Sequence, residues 1–199
     1  MTAAVFEALK WLAPEQMMRG AWIAFAAYWL ISAIGRCRAQ KREARGDRLV
    51  HILWLAAAAY LFYYSEPWMG PLDRRFIPDL PWIADLSAAL TVLGIGFAIW
   101  ARYHLGKNWS AEITIRADHQ LIRTGPYAWL RHPIYTGLLV ALLGTALWVG
   151  RYRALIALGM FLIGFSRKAK KEETFLAQEF GPKFEEHKRL TGFFLPRLG

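Results

Sequence analysis

The chain has little of the chemistry that builds disulfide or metal frameworks. Its 199 residues include a single cysteine, Cys37, which excludes an internal disulfide and gives no zinc-binding pattern. The five histidines are scattered without ligand spacing, at positions 51, 104, 119, 132 and 187. The sequence also lacks internal repeats, low-complexity segments and a soluble second domain. We therefore predict one domain over residues 1–199 and no bound metal.

Acidic residues are scarce, whereas hydrophobic residues are abundant. Asp and Glu number 15 against 25 Lys and Arg, and 56% of the residues are hydrophobic, which is too many for an ordinary soluble domain. A membrane span needs roughly 17–25 apolar residues. We predict an all-α, polytopic membrane bundle of about five transmembrane helices, located at Met17–Gly35, Leu49–Tyr64, Pro81–Ala101, Pro133–Val149 and Ala154–Phe165. The last stretch is short unless Gly150–Arg153 belongs to it, and Arg151 and Arg153 would then snorkel outward.

Basic residues are distributed unevenly between the two sides of such a bundle. With five spans, 19 Lys and Arg residues fall on one side and 6 on the other. The richer side, which carries the C-terminus, should face the cytoplasm in an inner or plasma membrane. Anionic lipid headgroups account for the positive charge, so nucleic acid is not needed as a partner. The basic run after the first apolar stretch is typical of a stop-transfer flank, and we expect no cleaved signal peptide.

Polar residues on the cytoplasmic side are concentrated in one loop and in the tail. The loop, Arg102–Arg131, is long for a compact protein and contains several large apolar residues, which favours a functional role over disorder. The tail from Arg167 has helical periodicity until Gly181-Pro182, and a second short helix is expected from Phe184. We expect the loop and the C-terminal helices to close a pocket at the mouth of the bundle. This divides the domain into spans at 1–101 and a functional part at 102–199.

The loop ends in an unusual segment, Arg123 to Gly137, with the sequence RTGPYAWLRHPIYTG. Gly125-Pro126 is typical of a turn, and Pro133 is typical of a helix start. In a purely structural interpretation, the charged residues face lipid headgroups and the two tyrosines join an aromatic belt. In a functional interpretation, the rigid segment holds a ligand. Taken alone, the segment fits both.

A longer pattern favours the functional interpretation. The segment DHQLIRTGPYAWLRHPIYTG, followed after one helical hairpin by EETFLAQEFGPKF, resembles the isoprenylcysteine carboxyl methyltransferase family. The match runs from about Lys107 to Pro196. The resemblance implies an integral membrane enzyme that uses S-adenosylmethionine, in a family whose members also include methyltransferases of phospholipid amines and small thiols.

The resemblance also implies a set of site residues. Arg131, Tyr135 and Glu172 are assigned catalytic roles, whereas Glu173 is expected to point elsewhere because adjacent helix residues lie about 100° apart. Where prenylcysteine-methylating members carry a substrate-binding arginine, this chain has Lys168, with Arg167 beside it. Both are candidate substrate-binding residues. The family's cofactor contacts fall on Glu112, His119, Gln120, Leu121, Ile122, Tyr127, His132, Pro133, Ile134, Tyr135 and Glu172.

These residue types suit S-adenosylmethionine and its product S-adenosylhomocysteine. A carboxylate suits the ammonium group, and tyrosine faces suit the sulfonium cation. In-line methyl transfer needs neither a metal nor a covalent intermediate. The acceptor is expected to be lipophilic or small and to carry a carboxylate, thiol or amine. Two other classes stay open, a small transporter and a non-catalytic cofactor-binding membrane protein such as a haem carrier.

Overall fold

The computed structural model describes residues 13–32, 45–106 and 121–197. In this part of the chain the regular structure is helical, in agreement with the predicted all-α class. Two short 3₁₀ helices, Pro67–Asp73 and Gly125–Ala128, lie in the connections. The α-helices are α1 Pro14–Ile31, α2 Arg45–Tyr63, α3 Pro81–Leu105, α4 Pro133–Val149, α5 Tyr152–Phe180 and α6 Pro182–Leu190.

Each predicted apolar stretch overlaps one of the first five α-helices, and the end of the first stretch, residues 33–35, lies outside the described residues. Of the described helices, α3 is long and apolar enough to cross a membrane, and Leu49–Tyr63 with Pro67–Asp73 forms a bent pair that counts as one more if it is a broken span. Helix α4 is equally apolar in character but shorter. The count of five spans therefore stays a prediction.

The centre of the bundle is the close packing of α3 against α4. A Cβ atom added at Gly94 would lie 2.5 Å from the backbone nitrogen of Ala141, and one at Gly144 would lie 2.5 Å from the carbonyl oxygen of Ser87. The two backbones therefore touch where glycine allows it, which is the way small residues let membrane helices approach closely. Gly96 does not share this role, because its Cβ position opens onto empty space. Helix α1 packs on α3, and α2 packs on α5.

The loop after α2 is anchored by two arginines at the start of α5. The buried Arg153 donates through Nε to Asp73 Oδ1 at 2.7 Å and through Nη1 to the carbonyl oxygens of Leu61 and Phe62, both at 2.6 Å. Arg151 donates to the second carboxylate oxygen of Asp73 at 2.7 Å. The predicted outward snorkelling is thus wrong for Arg153, because the carboxylate and the two free carbonyls at the end of α2 draw its guanidinium inward.

The fifth apolar stretch and the first part of the charged tail form one uninterrupted helix. Helix α5 runs for 29 residues and ends at Phe180, where Gly181 adopts φ 49° and Pro182 starts α6. A positive φ is costly for other residues, so Gly181-Pro182 ends the helix as predicted. The continuity of α5 brings the glutamate pair of the tail beside the N-terminus of α4.

Candidate active site

The site begins at the turn that leads into α4. The 3₁₀ turn Gly125–Ala128 starts at a glycine with φ 58°, and a Cβ atom there would lie 2.7 Å from the ring of His104. The same ring bonds to Thr124 Oγ1 at 2.8 Å. This packing turns Tyr127 into the protein, where its ring is buried against Ala101 and Ile134. Tyr127 therefore does not belong to an aromatic belt that faces lipid.

Residues His132 and Tyr135 meet the first glutamate of the tail. His132 precedes α4 and is buried, and its Nδ1 lies 3.5 Å from Glu172 Oε2. The Tyr135 hydroxyl donates to Glu172 Oε1 at 2.6 Å. The predicted partners of the two motif blocks are thus brought together across 37 residues of sequence. The side chain of Glu172 keeps 27% of its surface exposed.

Glu173 also points into this cluster, and the prediction that it faces elsewhere is wrong. Its Oε1 accepts from Arg131 Nε at 2.5 Å and lies 3.2 Å from His132 Nε2. The physical reason is the size of the cluster: two successive side chains on one helix can straddle a single imidazole, one carboxylate at each ring nitrogen. The pair surrounds His132 rather than dividing between the site and solvent.

Arg131 is committed to the protein by the same contact. Besides Glu173, its guanidinium donates to the carbonyl oxygens of Lys188 and Thr191. These contacts tie the start of α4 to the end of α6. Arg131 thereby helps to hold the tail over the site, and the catalytic role that the family resemblance implies for it stays a prediction.

The charges of the cluster support one another. Burial alone lowers the pKa of His132, but its hydrogen bonds to Glu172 and Glu173 outweigh burial and raise the pKa above its ordinary value of 6.5. Burial likewise raises the pKa of Glu172, whereas the hydrogen bond and charge of His132, with smaller contributions from Lys168 and Tyr135, bring the net pKa below its usual 4.5. The pKa of Glu173 is also lowered, since its bonds to His132 and Arg131 outweigh burial. The cluster therefore favours a cationic imidazole between two carboxylates.

Aromatic rings pack against the cluster on the side of the apolar core. The ring of Tyr135 stacks on Phe165 at a centroid distance of 5.1 Å and an interplanar angle of 19°, and its centroid lies 5.9 Å from that of the His132 ring. These contacts and the hydrogen bond to Glu172 turn Tyr135 toward the cluster and not toward lipid. Phe165 is buried on α5 at the top of the apolar core.

The remaining predicted site residues are buried or partly buried near the turn, lie on α5, or fall outside the described residues. Pro133 and Ile134 are buried in the first turn of α4, and Leu121 and Ile122 are partly buried before the 3₁₀ turn, where Ile122 packs near Tyr127. Lys168 lies close enough to Glu172 for its charge to lower the pKa of that carboxyl, whereas Arg167 is exposed. Three predicted contacts lie outside the described residues: Glu112, His119 and Gln120.

The other residues of the cluster have weaker signals in the sequence. Glu173 belongs to the recognised glutamate pair, and only the assumption of one glutamate per helix face set it aside. Phe193 and Phe194 contact His132 with ring centroids at 5.0 and 6.2 Å, although they stand sixty residues further along the chain. Their adjacency in the sequence is typical of any apolar tail, so no local pattern could have placed them there.

The chain matches a known family over the part that builds this cluster. A model described as the isoprenylcysteine carboxyl methyltransferase (ICMT) family matches residues 87–178, which include the turn, α4 and the glutamate pair. A protein of Oryza sativa subsp. indica, named probable protein-S-isoprenylcysteine O-methyltransferase, is 33% identical over 130 residues, covering 62% of this chain and 68% of the relative. The chain belongs to the ICMT family. The sequence-based assignment to this family is confirmed.

Two other similar proteins share only part of their length with the chain. The cobalt-zinc-cadmium resistance protein CzcN of Cupriavidus metallidurans is 32% identical over 122 residues, covering 60% of this chain and 54% of that protein. A solved structure of the eukaryotic intramembrane Ras methyltransferase ICMT matches with a TM-score of 0.55 and 19% identity, over 77% of this chain and 53% of that one. The chain thus spans about half the length of these two proteins, and the likeness to the solved structure supports the membrane helical fold.

Proposed function

We propose that the protein is a membrane-embedded methyltransferase that uses S-adenosylmethionine and whose active site faces the cytoplasm. The methyl group is transferred by in-line displacement to a lipophilic or small acceptor that carries a carboxylate, a thiol or an amine. Membership of the ICMT family supports the reaction class. The observation that carries the proposal is the convergence of Glu172 with Tyr135 and His132, since this brings together the two blocks on which the family pattern depends.

The described residues fit the cofactor by their chemistry. Glu172 is anionic, partly exposed and held from two sides, which suits it to the ammonium group of an amino acid. The aromatic face of Tyr135 is of the kind that attracts a sulfonium cation. When bound, S-adenosylmethionine supplies an electrophilic methyl group. Residues Tyr127, Pro133 and Ile134 would complete the apolar side of the site.

The contribution of the chain's own residues is mainly alignment. Effective molarities in well-oriented reactions lower a barrier by about 7–11 kcal/mol at most, and a site fixed by a hydrogen-bonded cluster meets that requirement. His132 is a poor candidate for a general base, because its raised pKa and its two carboxylate partners favour the protonated ring. Its proposed task is to hold Glu172 in place. A carboxylate or thiolate acceptor would then need no base, whereas an amine acceptor must arrive deprotonated.

The basic residue proposed for the acceptor side is Lys168. Its charge acts on Glu172, and it lies one helical turn before that residue on α5. A lysine offers a point charge without the planar fork of arginine. A prenylcysteine acceptor therefore does not follow from the family resemblance. In members that methylate prenylcysteine, an arginine at this position is placed to hold the carboxylate of the substrate.

The decisive test is the binding of S-adenosylhomocysteine by the detergent-solubilised protein. Loss of a charge-assisted hydrogen bond costs about 1.5–3 kcal/mol, so Glu172→Gln should bind the ligand about tenfold to a hundredfold more weakly by calorimetry. Glu179→Gln is the matched control, since Glu179 is exposed on the same helix and should leave affinity unchanged. Equal affinity of Glu172→Gln and wild type would remove Glu172 from the site. A wild-type protein that does not bind the ligand would overturn the enzyme proposal and return the transporter and carrier alternatives.

A further inference from the structure

The last described residues of the chain fold back over the candidate site. We call residues Thr191–Phe194 the strap. It follows α6 and lies outside residues 87–178, the range that the family model matches. The strap still belongs to the longer stretch, from about Lys107 to Pro196, over which the sequence resembles the family.

The strap is attached through its backbone. Arg131 N donates to Gly192 O at 2.8 Å, Gly192 N donates to Trp129 O at 2.9 Å, and Thr136 Oγ1 donates to Phe194 O at 2.9 Å. Arg131 adds the guanidinium contact to Thr191 O. In each of these hydrogen bonds the strap contributes a main-chain atom, so the side chains of Phe193 and Phe194 are not needed to attach it.

The backbone of the strap turns sharply at Gly192. A Cβ atom at Gly192 would lie 1.6 Å from the carbonyl oxygen of Leu195, so the chain can double back there only at a glycine. Thr191 is buried and bonds through Oγ1 to His187 O at 2.6 Å, which fixes the start of the strap to α6. The strap is thus an ordered part of the fold with a defined position over α4.

The two phenyl side chains of the strap are directed at the cluster. The Phe193 ring lies edge-on to His132, with centroids 5.0 Å apart and an interplanar angle of 69°, and the Arg131 guanidinium lies 5.6 Å from its centroid. The Phe194 ring lies edge-on to Tyr135 at 6.4 Å and 81°. The rings are 4.4 Å from each other and form one apolar surface. They face the residues that we propose to hold the cofactor.

We propose that Phe193 and Phe194 are additional site residues, which form an apolar wall on the tail side of the methyl-transfer site. The proposal rests on the proposed function, since it gives the wall a ligand to cover. A wall of two phenyl rings excludes water beside Glu172, and charge interactions are stronger where water is excluded. Because the strap is held by its backbone, substitutions at Phe193 and Phe194 can change the size of the wall without detaching the strap.

Cysteine labelling tests the wall without knowledge of the acceptor. In a Cys37→Ser background, Phe193→Cys, Phe194→Cys and Leu195→Cys are each treated with a water-soluble maleimide, and labelling is followed by mass spectrometry. Leu195 is the control because it is 78% exposed next to the strap. With S-adenosylhomocysteine at ten times its Kd, labelling at 193 and 194 should slow by about tenfold, and labelling at 195 should not change.

Each outcome decides between the wall and its alternatives. Unchanged labelling at 193 and 194 in variants that bind S-adenosylhomocysteine would overturn the wall while leaving the proposed function intact. Failure of both cysteines to react without ligand would also overturn it, because the wall of an open site is accessible. Absence of ligand binding by the unmodified protein would overturn the proposed function first, and the wall with it. Testing two positions keeps a result available if one variant does not fold.

Discussion

Replacing Glu173 by glutamine removes the negative charge that Arg131 and His132 share. The side chains of Arg131 and Glu173 are only 11% and 13% exposed, so solvent screens their interaction weakly. The distance between Arg131 Nε and Glu173 Oε1 is 2.5 Å, which is short for a charged hydrogen bond. The same carboxylate helps to raise the pKa of His132. We therefore expect the substitution to destabilise the folded protein more than it weakens ligand binding.

The expected loss of stability depends on the hydrogen bonds that remain to Arg131 and to residue 173 after the substitution. Breaking a buried ion pair by removing one charge costs about 3–5 kcal/mol when the other charge is left without a partner. Arg131 retains the carbonyl oxygens of Lys188 and Thr191, and glutamine can still accept one hydrogen bond. The expected loss is therefore nearer to one charged hydrogen bond, about 1.5–3 kcal/mol. For a chain of this size that corresponds to a fall of about 3–12 °C in melting temperature.

A double-mutant cycle measures the pair directly. Glu173→Gln, Arg131→Met and the double variant are compared with wild type by thermal unfolding in detergent. The coupling energy should be about 1 kcal/mol or more, whereas losses that add to within about 0.5 kcal/mol would refute the pairing. Because the pKa of Glu173 is lowered, its contribution is present above its ordinary value of 4.5 and is lost as the pH falls through the lowered pKa. The difference between Glu173→Gln and wild type should accordingly shrink in acid.

Three further predictions concern other parts of the structure. The raised pKa of His132 means that its contribution to stability is complete below 6.5 and is lost as the pH rises through the raised value, so melting temperature should fall there in wild type but not in His132→Asn. Gly94→Ala should destabilise the bundle by about 1–3 kcal/mol through overpacking, and Gly96→Ala, which meets open space, should not. Arg153→Met should lower the melting temperature and free the loop at Asp73 for proteolysis, and protection equal to wild type would show that the ion pair is not the anchor.

The helices were predictable because their signals are local. Apolar runs of sufficient length, prolines at helix starts and the Gly181-Pro182 break are each readable within a few residues of sequence. The family pattern added the pairing between α4 and the tail, since it links two ordered blocks. The structure brings Tyr135 and Glu172, one from each block, into contact, and their roles in the site stay predictions.

The errors arose where a side chain chooses between partners that are distant in sequence. Arg153 looks like a residue that snorkels to the interface until Asp73, eighty residues earlier, is brought beside it. Glu173 looks solvent-facing by helical angle alone, but Arg131 and His132 approach it from another element. The strap contacts follow from the position of α6, which no periodicity specifies. Local patterns determine elements, and tertiary proximity determines where charges are neutralised.

If α5 begins as the fifth predicted span, its unbroken course makes the proposed site sensitive to the thickness of the bilayer. At 1.5 Å per residue, its 29 residues extend for about 43 Å, against a hydrocarbon thickness of about 30 Å. The helix is fixed at one end by Arg153 and carries Glu172 nineteen residues later, with no described break between the two. A rigid rod of this kind transmits tilt, so a thinner or thicker bilayer changes the depth at which the carboxylate sits. Under the proposed function, lipid chain length would thus set the height of the reaction centre relative to the membrane mechanically, through the tilt of α5.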